Sequence, residues 1–251
     1  MANQIDRLIL KLPPNRQLLG HLLMDKNWFK NTDFNLQKQI LELPDNFEGY
    51  VFDLTQREDK FDSKEVVKLV KLSIGEHLII TVFDLYSSKT KKHTLKEYVS
   101  WCLGRHPGLK GLILIKTGNK ITHFVTTKAE KFPIGHATFD AVGGLTQYSS
   151  NQIIHLSHQI KAAIQKKLNI NQIEILDIYD LGRLEVDNGL TSNHPGIFAV
   201  TIDGGKLSVS SNSSKVDIIP IEQLESYISK VDDSFFLAII SRLLAKKIIS
   251  L

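Results

Sequence analysis

Apolar positions along the chain fall into runs with two spacings, and the switches between them predict the elements. Residues 17–29 and 33–43 repeat their apolar positions every three or four residues, as helices do, with Asp33 placed to cap the second. Residues 47–54 and 77–86 read as strands. The stretch from Asp62, with Val66, Val67, Leu69 and Val70, fits either a capped helix or one arm of a hairpin. The helix is favoured, which makes residues 47–86 a small βαβ-like unit, and the extended reading stays open. Leu95, Tyr98, Val99, Cys102 and Leu103 have helical spacing again.

A seam follows at His106-Pro107-Gly108, where proline and two glycines, Gly104 and Gly108, end that pattern. Two domains are expected, 1–106 and 107–251. Beyond the seam, strands at 109–116 and 120–127 flank the turn Thr117-Gly118-Asn119. A strand at 136–142 runs into Gly143-Gly144, and an amphipathic helix over 151–168 carries Ile153, Leu156, Ile160, Ile164 and Leu168, with Asn169 as a left-handed cap. Strands are expected at 173–184, 196–202 and 206–210, with hairpin turns at Asn188-Gly189 and Gly204-Gly205. Helices then open at Pro220 and at Asp232-Asp233, the aspartates favoured by the helix dipole.

Composition narrows the class. A hydrophobic fraction of 42% and a charged fraction of 23% describe an ordinary globular chain and exclude disorder and fibrous repeats. Cys102 is the single cysteine, so neither an intrachain disulfide nor a multi-cysteine zinc site can form, and a reducing, cytoplasmic home is expected. Its place in an apolar stripe reads as a packed thiol. Met1 to Asp6 lack the basic start and apolar stretch of a secretory signal, and no apolar run reaches the roughly 20 residues of a membrane span. The net charge of +4 favours anionic partners. Lys89, Lys91, Lys92 and His93 form the only local basic run, read as a solvated turn.

The succession of hairpin, strand, Gly-Gly, amphipathic helix, long strand, further strands and C-terminal helix resembles the Nudix fold over about the last 145 residues. The resemblance is carried by Phe132-Pro133, Ala141-Val142-Gly143-Gly144, Leu168-Asn169-Ile170, Leu181-Gly182-Arg183 and Ile218-Ile219-Pro220-Ile221-Glu222-Gln223-Leu224. It implies an α/β (α+β) fold: a Nudix-like α/β/α sandwich with a mixed sheet, preceded by a smaller α/β domain whose sequence shows no catalytic motif.

The family's signature, G-x5-E-x7-R-E-U-x-E-E-x-G-U with U aliphatic, sets glutamates on one helix face to hold divalent cations against a pyrophosphate. Registered from Gly144, the glutamate positions here are Ser150, Gln159, Ala162 and Ala163. Registered from Asn169-Ile170, they are Ile154, Ala163, Lys166 and Lys167. No Asp or Glu occurs between Asp140 and Glu174, so no register restores the carboxylates.

The resemblance therefore implies a degenerate box, with magnesium-dependent hydrolysis lost. The leading expectation is a protein that binds a nucleotide or phosphorylated metabolite, or serves as an interaction module. Its ligand-binding surface is expected at Gly143, Gly144, His158, Lys161, Lys166 and Phe198, with no catalytic residue and no cofactor. Lys166 and Lys167 serve either to offset the helix dipole or to replace the lost metal charge at a phosphate. His155 and His158, three apart, read as helix-surface residues rather than metal ligands.

The alternative is an active hydrolase of nucleoside diphosphate derivatives that holds magnesium through Asp140 and Glu174, with the acids beyond them, Asp177, Asp180, Glu185 and Asp187. A DNA-binding regulator is disfavoured: too few residues follow Pro220 for a winged helix, and no recognition helix gathers Arg and Lys. No membrane partner is expected. The broad apolar stripe of the last helix reads as core first and as a homodimer interface second.

Overall fold

The computed structural model describes residues 4–61, 63–104, 108–131, 135–145, 148–149, 152–153, 156–168, 173–187, 189–206 and 216–250. The chain forms two compact units. One holds residues Met1–Pro107 together with Glu185–His194; the other holds Gly108–Leu184 and Pro195–Leu251.

Among the described residues, the first unit packs five helices, α1 (Gln4–Ile9), α2 (Pro14–Met24), α3 (Asn27–Lys30), α4 (Phe34–Leu41) and α5 (Glu48–Thr55), with an antiparallel sheet of four strands. These are β1 (Lys60–Phe61), β2 (Lys64–Ile74), β3 (Leu78–Ser87) and β4 (Lys92–Trp101), in the order β1-β2-β3-β4. Trp28, Phe29, Phe47, Tyr50 and Phe83 are buried at its centre. Asp33 caps α4, accepting from the Asn35 amide at 2.8 Å, as its position predicts. Arg16 is buried, and its Nη2 donates to the carbonyls of Leu43 and Pro44 at 2.9 and 2.8 Å, so one guanidinium ties α2 to the end of α4. Burial lowers its pKa, partly offset by Glu48 and Asp45.

Four expectations for this block are corrected. Residues 17–29 are not one helix but the ends of α2 and α3 with a break between them. Residues 47–54, read as a strand, lie almost entirely in α5: Tyr50, Val51 and Leu54 recur at helical spacing and are all buried. Residues 66–70, favoured as a helix, belong to β2. Bulges after Val66 and Leu69 bring Val66, Leu69 and Leu72 to one face of the strand, which imitates a helical three-residue repeat. Residues 95–101 lie in β4, so the supposed stripe splits: Tyr98 turns to the covered face and Leu95 to the open one. Cys102 is buried all the same, and burial pushes its thiol pKa up, as for a packed, unreactive cysteine.

Residues 185–194 extend this sheet. The Val99 amide donates to Leu190 O at 2.7 Å, the Ser192 amide donates to Val99 O at 3.2 Å, and the Ser100 and Ser192 hydroxyls are hydrogen-bonded. The segment thereby runs parallel to β4 at Val99 and Thr191 and covers its edge.

The second unit is a sheet between helices. Its strands are β5 (Gly108–Thr117), β6 (Lys120–Lys131), β7 (His136–Asp140), β8 (Val142–Leu145), β11 (Ile175–Arg183), β12 (Gly196–Asp203) and β13 (Val216–Pro220). A separate hairpin, β9 (Tyr148–Ser149) with β10 (Gln152–Ile153), precedes helix α6 (Leu156–Leu168). The order β11-β12-β5-β6-β13 is antiparallel except for the parallel pair β12 and β5, which makes the sheet mixed. After their paired ends β5 and β6 part, and β8 pairs with the start of β5 while β7 pairs with the end of β6.

One face buries Ile113, Val125, Val142, Phe198 and Val200 under Ile160 and Ile164 of α6. The other buries Leu112, Leu114, Phe124 and Ala199 under α7 (Leu224–Ile228) and α8 (Ser234–Ala245). The hairpin at Gly118 forms as expected, with Gly118 at φ +60°. The helix expected over 151–168 starts five residues later, and the strand expected over 206–210 begins instead with a 3-10 turn, Gly204–Lys206; its remainder lies outside the described residues, as do Asn169 and Asn188. Among the described residues no helix is long and apolar enough to cross a membrane.

Asp233 has two tasks. Its Oδ1 accepts from the Phe235 amide at 3.1 Å as the N-cap of α8, and its Oδ2 accepts from the Ala141 amide at 2.7 Å, between β7 and β8. Asp233→Ala removes a cap worth about 1 kcal/mol and a charge-assisted bond of about 1.5 kcal/mol, so urea denaturation is expected to show a loss of about 2.5 kcal/mol.

Tyr227 packs among Phe124, Phe139 and Phe236 and donates to Thr126 Oγ1 at 2.9 Å. Burial raises its pKa, with Asp217 and Asp140 adding to the rise and the Thr126 bond opposing it. Because the folded state holds this proton more tightly, the stabilisation is complete below the ordinary phenol value near 10 and is lost as pH rises through the folded value. Tyr50 and Tyr179, also raised by burial, act in the same direction. Tyr227→Phe is expected to flatten the alkaline limb of stability against pH above about pH 10, at a cost of about 1 kcal/mol at neutral pH.

Candidate functional site

The part of the second unit that the sequence singles out is the junction of β8 with α6. Where β5 turns from β6 to β8, Gly143 lies against Leu109 so closely that a Cβ would sit 2.3 Å from the Leu109 carbonyl oxygen. Only glycine fits. At Gly144 a Cβ would meet nothing within 4 Å, so the strand opens to space one residue on. Val142, just before them, packs into the same apolar layer as Ile160 and Ile164, which sets α6 over this strand.

That packing sorts the helix into faces. Ile160 and Ile164 point inward and Gln159 is buried beside them, while His158, Lys161, Ala162 and Lys166 are exposed. His158, Ala162 and Lys166 lie four apart along one stripe, while Lys161, three from His158 and five from Lys166, stands about 140° round the helix from Lys166, so the two lysines flank the exposed side. Of the positions where the signature has glutamates, Gln159 is buried, Ala162 is exposed, Ala163 is half-buried and Lys166 is exposed. Ser150 and Ile154 lie outside the described residues, as does the side chain of Lys167.

Phe198 has a different place from the surface expected for it. It is 3% exposed, in the layer beneath α6, and its ring crosses Gly111, where a Cβ would come within 2.2 Å of a ring carbon. It supports the junction from below and does not line a surface.

The carboxylates of the hydrolytic alternative are dispersed. Asp140 is 6% exposed and its Oδ1 accepts from the Thr138 hydroxyl at 2.7 Å. Glu174 is exposed, beside Asp203 at the far end of β12, whose amide donates to the Glu174 carbonyl at 3.3 Å. Val142 pairs with Gly111, and Ile175 pairs through Ile202 with Ile115. Asp140 and Glu174 therefore lie about four residues along and three strands across from one another, roughly 20 Å at about 3.3 Å per residue and 4.8 Å per strand. Ligands of one cation must each come within about 2.6 Å of it, so this pair cannot share an ion.

The later acids have separate partners. Asp177 accepts from Thr201 at 2.8 Å, and Asp180 accepts from the Gly182 amide at 2.7 Å; Glu185 and Asp187 belong to the first unit. Among the described residues no three His, Cys, Asp or Glu side chains gather as a metal-holding group.

Charge is distributed unevenly. The first unit carries sixteen basic and sixteen acidic residues, the second fifteen and eleven, so the whole excess of +4 resides in the second. Most of it comes from residues 141–173, where Lys161, Lys166 and Lys167 face no acid in the sequence. Reading residues one by one missed Gln159 as a buried polar group and Asp233 as the partner of Ala141. The first has no signal in an amphipathic pattern; the second was visible only as a cap.

No family model matches the sequence, and no curated protein matches it. Among solved structures the chain is similar to one described as the crystal structure of an ADP compounds hydrolase, with a TM-score of 0.51 and 10% identity over 76% of this chain and 96% of that one. That coverage exceeds the share of the chain in the second unit, so the likeness takes in part of the first as well. At such identity it speaks for the fold alone. The second unit has a Nudix-like α/β/α sandwich fold with a mixed sheet, and the first is a smaller α/β addition to it.

Proposed function

We infer that the second unit binds an anionic, phosphorylated small molecule of the nucleotide class at the β8 and α6 junction, and that it does so without hydrolysing it. The observation that carries this reading is the acid-free stretch between Asp140 and Glu174, which sets Lys161 and Lys166 on the exposed side of α6. In the fold the chain resembles, that helix bears glutamates that recruit divalent cations to a diphosphate. Here the positive charge is supplied by ammonium groups of the protein itself.

Lysine binds phosphate as a point charge with three donors, and it needs no metal to do so. An ammonium group does not lower the pKa of a bound water as a divalent cation does, so lysine in place of the metal supplies no activated nucleophile. The same substitution that preserves attraction for a diphosphate thus removes the nucleophile. The open space at Gly144 gives a ligand access beside the helix, and His158 adds a further donor on the same side. The fold neighbour is named for ADP compounds, which carry a diphosphate, and this supports the same ligand class for this chain.

Thermal denaturation with ADP or ADP-ribose in the presence of a chelator tests the reading. Stabilisation that survives chelation is expected, since a ligand that prefers the folded state at a hundred times its Kd adds about 2.7 kcal/mol. Lys161→Ala and Lys166→Ala are each expected to weaken binding about tenfold, the loss of one charge-assisted contact. Stabilisation that appears only with magnesium, or magnesium-dependent phosphate release abolished by Asp140→Asn or Glu174→Gln, would establish the hydrolytic alternative instead.

A further inference from the structure

The four-stranded sheet of the first unit is covered on one face by its helices; on the other, Val82 is buried, 5% exposed, while Lys71, Ile80, Leu95 and Glu97 around it are exposed. Register fixes the pattern of the open face. Lys71, Val82 and Glu97 stand abreast across β2, β3 and β4; Ser73, Ile80 and Val99 form the next row, and Lys68, Asp84 and Leu95 the row on the other side. Leu95 is 61% exposed and Ile80 is 45% exposed, a high exposure for large apolar side chains near the middle of a sheet. The edge beyond β4 is occupied by residues 190–192, so what remains available is the face itself.

Charge on this face differs between its two sides, with Glu65, Lys68 and Lys71 on β2 and His93 and Glu97 on β4. Lys71 and Lys68 stand on β2, Glu97 on β4, and the apolar groups lie in and beside the same rows. A second sheet of the same kind, laid face to face by a twofold axis running along the strands, brings the β2 of one copy over the β4 of the other. Lys71 then opposes Glu97 twice, and Glu65 opposes His93 twice, while Ile80 meets its own counterpart at the centre. A twofold axis across the strands instead sets Lys71 against Lys71. Asp84, which faces its own copy, is held by His93 Nδ1 at 2.9 Å and stands beside Lys68, which offsets its charge.

We propose that this open face is a self-complementary dimer interface: two copies of the chain stack their four-stranded sheets with β2 over β4, buried around Ile80 and Leu95 and fixed in register by Lys71 and Glu97. Stacked sheets lie about 10 Å apart with strands within about 30° of alignment, which long Lys and Glu side chains span from the rims. Such a contact is isologous and closes at two copies.

The test is sedimentation equilibrium of the full chain. A dimer is expected for the native protein. Lys71→Glu is expected to weaken it at least about tenfold, and Lys71→Glu combined with Glu97→Lys to restore it, an outcome that loss of folding cannot imitate because both side chains are exposed. Leu95→Glu is expected to give a folded monomer, checked by an unchanged circular dichroism melt. A monomer throughout the concentration range overturns the proposal and leaves the face to an unlike partner. A dimer indifferent to both the charge reversal and Leu95→Glu overturns it too, and places the interface elsewhere.

Discussion

The second unit depends on the point where β5 and β6 separate. A continuous hairpin would zip β5 to β6 along its whole length and leave no room for another strand. Instead the pair parts, the β7 and β8 segment wedges into the opening, and the chain turns at Ala141. Asp233 holds that turn by accepting the Ala141 amide while it starts α8, so one carboxylate joins the wedge to a helix on one side of the sheet. On the other side, Gly143 lets β8 approach β5, and Val142 gives α6 its seat. The position of the exposed cations of α6 follows from these contacts.

Much of this was legible because the second unit obeys simple periodicities. The β5 and β6 hairpin, β12, α8 and its aspartate cap all stand where spacing and turn chemistry place them, and the absence of acid between Asp140 and Glu174 is a statement about sequence that no folding can alter. The first unit was read less well, for identifiable reasons. Two bulges in β2 shift the strand's inner positions to every third residue, and periodicity then mistakes it for a helix. In α5 the aromatic and β-branched content suggests a strand, but the burial of Tyr50, Val51 and Leu54 against neighbouring helices overrides that preference. The candidate site has its own blind spots. A strand such as β12 is buried on both faces, so sequence alone could not tell that Phe198 supports α6 from beneath. Nor could it show that Asp140 and Glu174 lie about three strands apart across the sheet.

Electrostatics separates the units more sharply than texture does. A first unit with balanced charge offers no long-range pull on small anions, whereas the second concentrates its excess on one helix. Concentration matters more than the total, because at physiological salt a field fades within about 8 Å and only neighbouring charges reinforce one another. Lys161 and Lys166 stand five residues apart on α6, about 7.5 Å along its axis.

The segment 185–194 has a consequence for how the molecule is made. It completes the edge of the first unit's sheet through Val99, yet it is encoded some ninety residues after β4, between two strands of the other unit. During synthesis the first hundred residues emerge with that edge bare, and they cannot close it until β11 has followed. Unlike a chain of independently maturing modules, this one must keep an unfinished border from sticking to its neighbours while the ribosome works. The charged side chains of β4, Lys92, Lys96 and Glu97, are the natural means of doing so.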